Sequence, residues 1–187
     1  MESLLHLTLK NQIYEELKSR GLPVRMEAVV ARSRPDLLTE INGKKLAIEI
    51  QHSALTPRSI LYRMGEHTAQ GAHTLWLIPE PVLETILYHR SWCELIQRLQ
   101  YGFVFIPIQG CQILPAHIDV LYGTKIKYID RSPTPIWIED ILFEKNPETG
   151  LNTTYWNEWW IDGYLDVNDI LAQQKQPKMH KMPTKIK

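Results

Sequence analysis

Three polar side chains stand inside otherwise apolar, strand-like sequence: Asp36 in PDLLTEI, and Glu49 and Gln51 in KLAIEIQ. A carboxylate or amide in such surroundings costs free energy unless it finds a partner. Glu49 and Gln51 are two residues apart, so on a strand they share one face. Asn42-Gly43 lies between the two runs and suits a type I′ turn, which needs positive φ twice. That turn folds the second run back along the first. Asp36 and Glu49 then lie on neighbouring strands, about 4.8 Å apart, where two carboxylates at matching heights can share one divalent ion. With the Ile50 carbonyl they make a hard oxygen site suited to Mg²⁺ or Mn²⁺. Such an ion lowers the pKa of a bound water and stabilises charge on a phosphoryl group. Glu27, on the preceding run, is a candidate third ligand or outer partner. Alternation alone fits equally well a pair of solvated acids on the open face of an antiparallel sheet.

The elements that must position these residues are legible from local chemistry. Leu5, Leu9, Ile13 and Leu17 recur every four residues, which predicts a helix over 3–20, capped by Ser3 and closed by Gly21. Pro23 prevents continuation. VRMEAVVA (24–31), PDLLTEI (35–41) and KLAIEIQ (45–51) read as three strands, with Pro35 at the start of its strand, where a missing donor is tolerated. Thr56-Pro57 reads as an N-cap followed by Pro at the first helical position, opening a helix over about 57–70 that Gly71 ends. HTLWLIP (73–79) is a buried fourth strand. Beyond it, Leu83, Leu87, Leu95 and Leu99 predict helix over 81–100, FVFIPI (103–108) a strand, and Pro-rich short β segments or loops reach about 145.

Strand with PD, turn, strand with E-x-Q, set after one helix and before a second helix and an apolar strand, resembles the PD-(D/E)xK nuclease superfamily, and within it the competence protein CoiA-like nuclease domain. RPDLL is similar to that family's Arg-Pro/Ala-Asp-Val/Leu segment, AIEIQHS to its Ala-Ile-Glu-x-Gln-x-Ser segment, and TLWLIP to its Trp-containing strand. His6 and Lys10 match a His-x-x-x-Lys feature of the first helix, and Glu27 falls where the family often has an acid in the first core strand. The resemblance covers residues 1 to about 80. It implies an α-β-β-β-α-β core with a mixed sheet flanked by helices and a C-terminal elaboration, and metal-dependent hydrolysis of phosphodiester bonds, DNA before RNA, in DNA uptake and recombination or in processing foreign DNA. Asp36, Glu49 and Gln51 would be catalytic, with Asp36, Glu49, Ile50 and Glu27 at the metal. The third motif position holds Gln51 where the superfamily more often has Lys. Gln brings no positive charge to a developing phosphorane, though it can orient a water; Lys10 and His52 are candidates for the missing charge.

Other polar residues have two readings each. Glu2, His6 and Lys10 line one helix face; His6 and Lys10 either edge the site and touch phosphate or are an ordinary solvated face. Arg34, His52, Arg58 and Arg63 either contact nucleic-acid phosphates or serve as surface and structural residues. Trp156, Trp159 and Trp160, with Tyr155 and Tyr164, are expected to pin a C-terminal segment onto the domain rather than stack bases. Composition excludes some classes. Of 187 residues, 44% are hydrophobic and 22% charged, and Lys+Arg and Asp+Glu are both 21. With zero formal charge, any basic surface must be local. Cys93 and Cys111 form no metal-type pairing, and a disulfide framework is not expected, so the cytoplasm is the default compartment. MESLLHLTLK lacks the apolar core of a signal peptide, and no run approaches the ~20 apolar residues of a membrane helix. The expected division is a nuclease core over 1–80, its elaboration over 81–172, with any contact to a second copy or a protein partner there, and a disordered basic tail over 173–187.

Overall fold

A computed structural model describes residues 2–85, 90–120 and 127–157. Helix α1 (Leu4–Ser19) begins at Ser3, whose hydroxyl accepts the His6 N–H, and turns its Leu9, Ile13 and Leu17 face inward. Gly21 follows at φ 75°, a left-handed conformation that suits Gly. Strands β1 (Val24–Met26), β2 (Leu37–Ile41) and β3 (Lys44–Ile50) form an antiparallel meander. Asn42 and Gly43 have φ of 52° and 78°, as the hairpin turn requires. Helix α2 (Pro57–Ala69) is capped by Thr56, whose side chain accepts the Ser59 N–H. It crosses over to β4 (Ala72–Leu77), which runs parallel to β3. The α-β-β-β-α-β order of the expected core is present.

The strand expected over 24–31 is much shorter. β1 ends at Met26, and Glu27 and Ala31 take positive φ, 48° and 54°. This strand lies at the sheet edge, pairs only with β2, and leaves Val29 exposed. β-branched residues favour strands only where a neighbour or a packed face receives them. Asp36 likewise precedes β2 rather than lying in it, and Gln51 follows β3.

Within the helix expected over 81–100, the described residues form helices α3 (Glu80–Thr85) and α4 (Arg90–Leu99). The sheet then continues through β5 (Val104–Gln109), β6 (Gln112–Val120) and β7 (Lys127–Arg131), in the order β1-β2-β3-β4-β5-β6-β7, with β8 (Ile136–Trp137) also on β6. β4 and β5 run parallel. The Gln100 side chain bridges their neighbourhood, accepting the Trp76 N–H at 2.9 Å and donating to the Phe103 carbonyl at 3.1 Å, so buried backbone groups are paired. A 3-10 turn (Ile138–Asp140) leads to the hairpin β9 (Leu142–Lys145) and β10 (Asn152–Tyr155), which packs on the start of β4 through Thr154 to Thr74 and His73 to Thr153. Trp156 packs against the α1-side core. Trp159, Trp160, Tyr164 and the expected tail lie outside the described residues. Among the described residues no helix is long and apolar enough to cross a membrane.

Alternation divides the core. Leu46, Ile48 and Ile50 of β3, with Leu75 and Leu77 of β4, pack under α1. On the opposite face Trp76 joins Ile60 and Met64 of α2 and Trp92 and Ile96 of α4. Ala47 and Glu49 therefore face α2.

Candidate active site

One step beyond the Leu37↔Ile48 pair, the β2-β3 register sets Asp36 opposite Glu49. Asp36 is held firmly: its Oδ2 accepts the Ile50 N–H at 2.7 Å, and its Oδ1 lies 3.1 Å from His6 Nε2. Glu49 is held loosely. It is buried, its Oε2 lies 3.5 Å from Arg63 Nη1, and its Oε1 is enclosed with no hydrogen-bond partner, 3.7 Å from His67 Nε2. Burial, and then the Asp36 charge, push the Glu49 carboxyl up to about 8, which Arg63 partly opposes. Gln51 follows on the same face, and its amide N–H donates to the Ser53 carbonyl.

These groups converge on one cleft of about 640 Å³. Asp36, Glu49, Ile50 and Gln51 form its floor, His6 and His52 one flank, and Arg58 and Arg63 of α2 another. Arg34 lines it too, with Arg32 and Ser33, delivered by the turn that replaces the second half of the expected first strand. His52 packs against His6 with ring centroids 4.6 Å apart; burial, and then the nearby His6, lower its pKa. Together the cleft presents two carboxylates, two imidazoles and four guanidinium groups, an arrangement able to take an anion beside a cation.

Two expected members are elsewhere. Lys10 is buried, absent from the cleft lining, and held by Glu2 at 2.5 Å, with Glu27 at 3.7 Å. Burial works against the Lys10 ammonium, but the Glu2, Glu27 and Asp36 carboxylates together outweigh it and raise its pKa. Glu27 is exposed and stands against Lys10, not in the cleft, because the chain turns at its positive φ. Neither residue reaches the floor where Asp36 and Glu49 lie. Glu2, just ahead of α1, ties two of that helix's side chains together: it meets His6 Nδ1 and Lys10 Nζ at 2.5 Å each, and Lys10 first, then His6, lower its pKa against the effect of burial.

Glu2, His6 and Asp36 each offer a ligand atom within 4.8 Å of the others. The imidazole lies between the two carboxylates, one nitrogen on each, so the three read as a carboxylate–imidazole–carboxylate bridge rather than ligands around a common centre. His67 went unnoticed in the sequence. Its signal was its place in the Ile60, Met64, His67 series, the inward face of α2.

The family model described as competence protein CoiA, nuclease-like domain, matches residues 2–100. Neither a curated protein nor a solved structure gives a match.

Proposed function

The chain belongs to the family of the competence protein CoiA nuclease-like domain, and we propose on that premise that it is a metal-dependent nuclease that hydrolyses phosphodiester bonds of DNA, in uptake and recombination or in processing foreign DNA. The observation that carries the reading is Glu49: a buried carboxylate opposite Asp36, with one oxygen lacking any hydrogen bond, at the floor of an arginine-lined cleft. An ionised carboxylate so enclosed lacks compensation from the protein alone. A hard cation supplies that compensation, and the donors at hand, carboxylate and carbonyl oxygens, are those Mg²⁺ and Mn²⁺ prefer. Asp36, Glu49 and the Ile50 carbonyl would hold it. Bound there, the ion would polarise the phosphoryl oxygen and acidify a water. Glu27 is not included, since it stands against Lys10.

The chain's own groups divide the remaining work. With its N–H engaged on Ser53, the Gln51 amide keeps its carbonyl to accept a hydrogen bond from the attacking water and so aim it. Gln51 brings no charge, and Lys10 is neutralised by Glu2. Arg63, partly exposed at the cleft, is among the described residues the one Arg or Lys within 4 Å of either floor carboxylate, 3.5 Å from Glu49, and supplies charge to the phosphate. Arg34, Arg58 and His52 hold the backbone of the nucleic acid. The test is incubation of plasmid, single-stranded DNA and RNA with Mg²⁺ or Mn²⁺, beside Asp36→Ala and Glu49→Ala. Cutting by the wild type that both variants lose is the expected result. Equal inertness of all three with binding retained would instead make the chain a non-cleaving nucleic-acid-binding module.

A further inference from the structure

Along α2 the inward positions Ile60, Met64 and His67 recur at helical spacing, and the third is an imidazole with no exposed surface. A ring so placed must satisfy two nitrogens. Nδ1 lies 2.9 Å from Thr74 Oγ1 on β4. Nε2 lies 3.1 Å from Ser33 Oγ and 3.7 Å from Glu49 Oε1. Both hydroxyls can donate or accept, so they satisfy either neutral tautomer of His67 equally. Glu49 cannot: an ionised carboxylate only accepts. Its Oε1 is enclosed and has no hydrogen-bond partner. An Nε2 lone pair facing that oxygen is repulsive, whereas an Nε2–H facing it is attractive. The carboxylate therefore selects the tautomer.

The geometry points to His67 as a positioning residue for Glu49: with Nδ1 accepting from the Thr74 hydroxyl, its Nε2–H faces Ser33 and Glu49 Oε1, and so leaves Oε2 as the oxygen presented to the cleft. A distance of 3.7 Å is too long for a hydrogen bond. A movement of about 0.8 Å by the carboxylate closes it to the usual length. The imidazole then does for Glu49 Oε1 what the Ile50 N–H does for Asp36 Oδ2, which is to fix that oxygen in place. Residues that orient metal-binding groups from behind act in this way. The role of the freed oxygen rests on the nuclease reading, but the tautomer of His67 does not.

Two measurements test this on the full chain. The first is two-bond proton–nitrogen correlation NMR of the ¹⁵N-labelled wild type at pH 9, where Glu49 is ionised; it reads which ring nitrogen of His67 carries the proton. Nε2–H is expected, and Nδ1–H overturns the assignment. The second is calorimetric titration of Mn²⁺ into His67→Gln and His67→Asn. Gln sets an amide near the place of Nε2, and Asn near that of Nδ1. Asn should weaken Mn²⁺ binding by about 10–100-fold and Gln by no more than about threefold. Equal loss in both variants overturns the positioning role. A wild type that takes up no Mn²⁺ would sink the nuclease reading, and the NMR result would still decide what His67 does.

Discussion

On the α1 side of the carboxylates, Glu2 meets both His6 and Lys10 at 2.5 Å, and His6 passes the contact to Asp36 at 3.1 Å. On the α2 side, Glu49 meets Arg63 only at 3.5 Å and His67 at 3.7 Å, and one of its oxygens has no hydrogen bond. The first group is a closed network in which each charge has an opposite charge within reach. The second is an open one, with a buried acid under-compensated and a guanidinium turned partly to the cleft. Buried charge that is not compensated marks functional sites more often than satisfied networks do. Two acids opposite each other on adjacent strands are thus held differently: both oxygens of Asp36 have partners in the protein, while one oxygen of Glu49 has no hydrogen bond.

The contrast can be broken by mutation. The largest effect is expected from Glu49→Gln, which keeps the shape and removes the charge: cleavage of plasmid DNA in Mn²⁺ should fall on the order of 10³-fold, against less than about tenfold for Glu2→Gln. Comparable losses in the two would erase the distinction between the networks.

Arg63→Ala should lower the cleavage rate by roughly 10²-fold, and adding Gln51→Lys should recover about tenfold of it by returning charge to the floor. Lys10→Met, in contrast, should leave the rate of the folded protein within about threefold, since its charge is already spent on Glu2. Its cost falls on stability, read as a lowered Tm. A Lys10→Met loss as large as that of Arg63→Ala would return Lys10 to the chemistry.

Stability against pH sharpens the comparison further. Unfolded, Glu49 ionises near 4.5; folded, near 8. Between these values the folded state holds the extra proton, so stability falls as pH rises through the window. Glu49→Gln escapes that fall, so its Tm should exceed the wild type's by on the order of 5 °C at pH 8 and match it at pH 4. Mn²⁺ should narrow the gap at pH 8 by stabilising the wild type alone. A gap of the same size at both pH values would show that the carboxylate charge is not what burial penalises.

What was legible in the sequence was what local chemistry decides. Ser3, Asn42-Gly43 and Thr56-Pro57 each act within four residues, and the structure uses all three as caps or turns. The i, i+2 spacing of Glu49 and Gln51 and the turn before them brought the cleft floor into view. The misses are tertiary. VVA reads as strand, but no neighbouring strand receives it, and the turn taken there carries Arg32 and Ser33 to the cleft and Glu27 away from it. Lys10 reads as a free cation on a helix face until Glu2, eight residues earlier, folds over it. His67 is silent because nothing local tells a buried imidazole that supports a carboxylate from one that fills space.

The most direct measurement is calorimetric titration of Mn²⁺ at pH 8 into the wild type, Glu49→Gln and Glu2→Gln. The account predicts uptake by the wild type that Glu49→Gln abolishes and Glu2→Gln retains. Uptake that survives Glu49→Gln and disappears in Glu2→Gln would put the ion at the α1 network and contradict the reading of Glu49 as the acid left open for it.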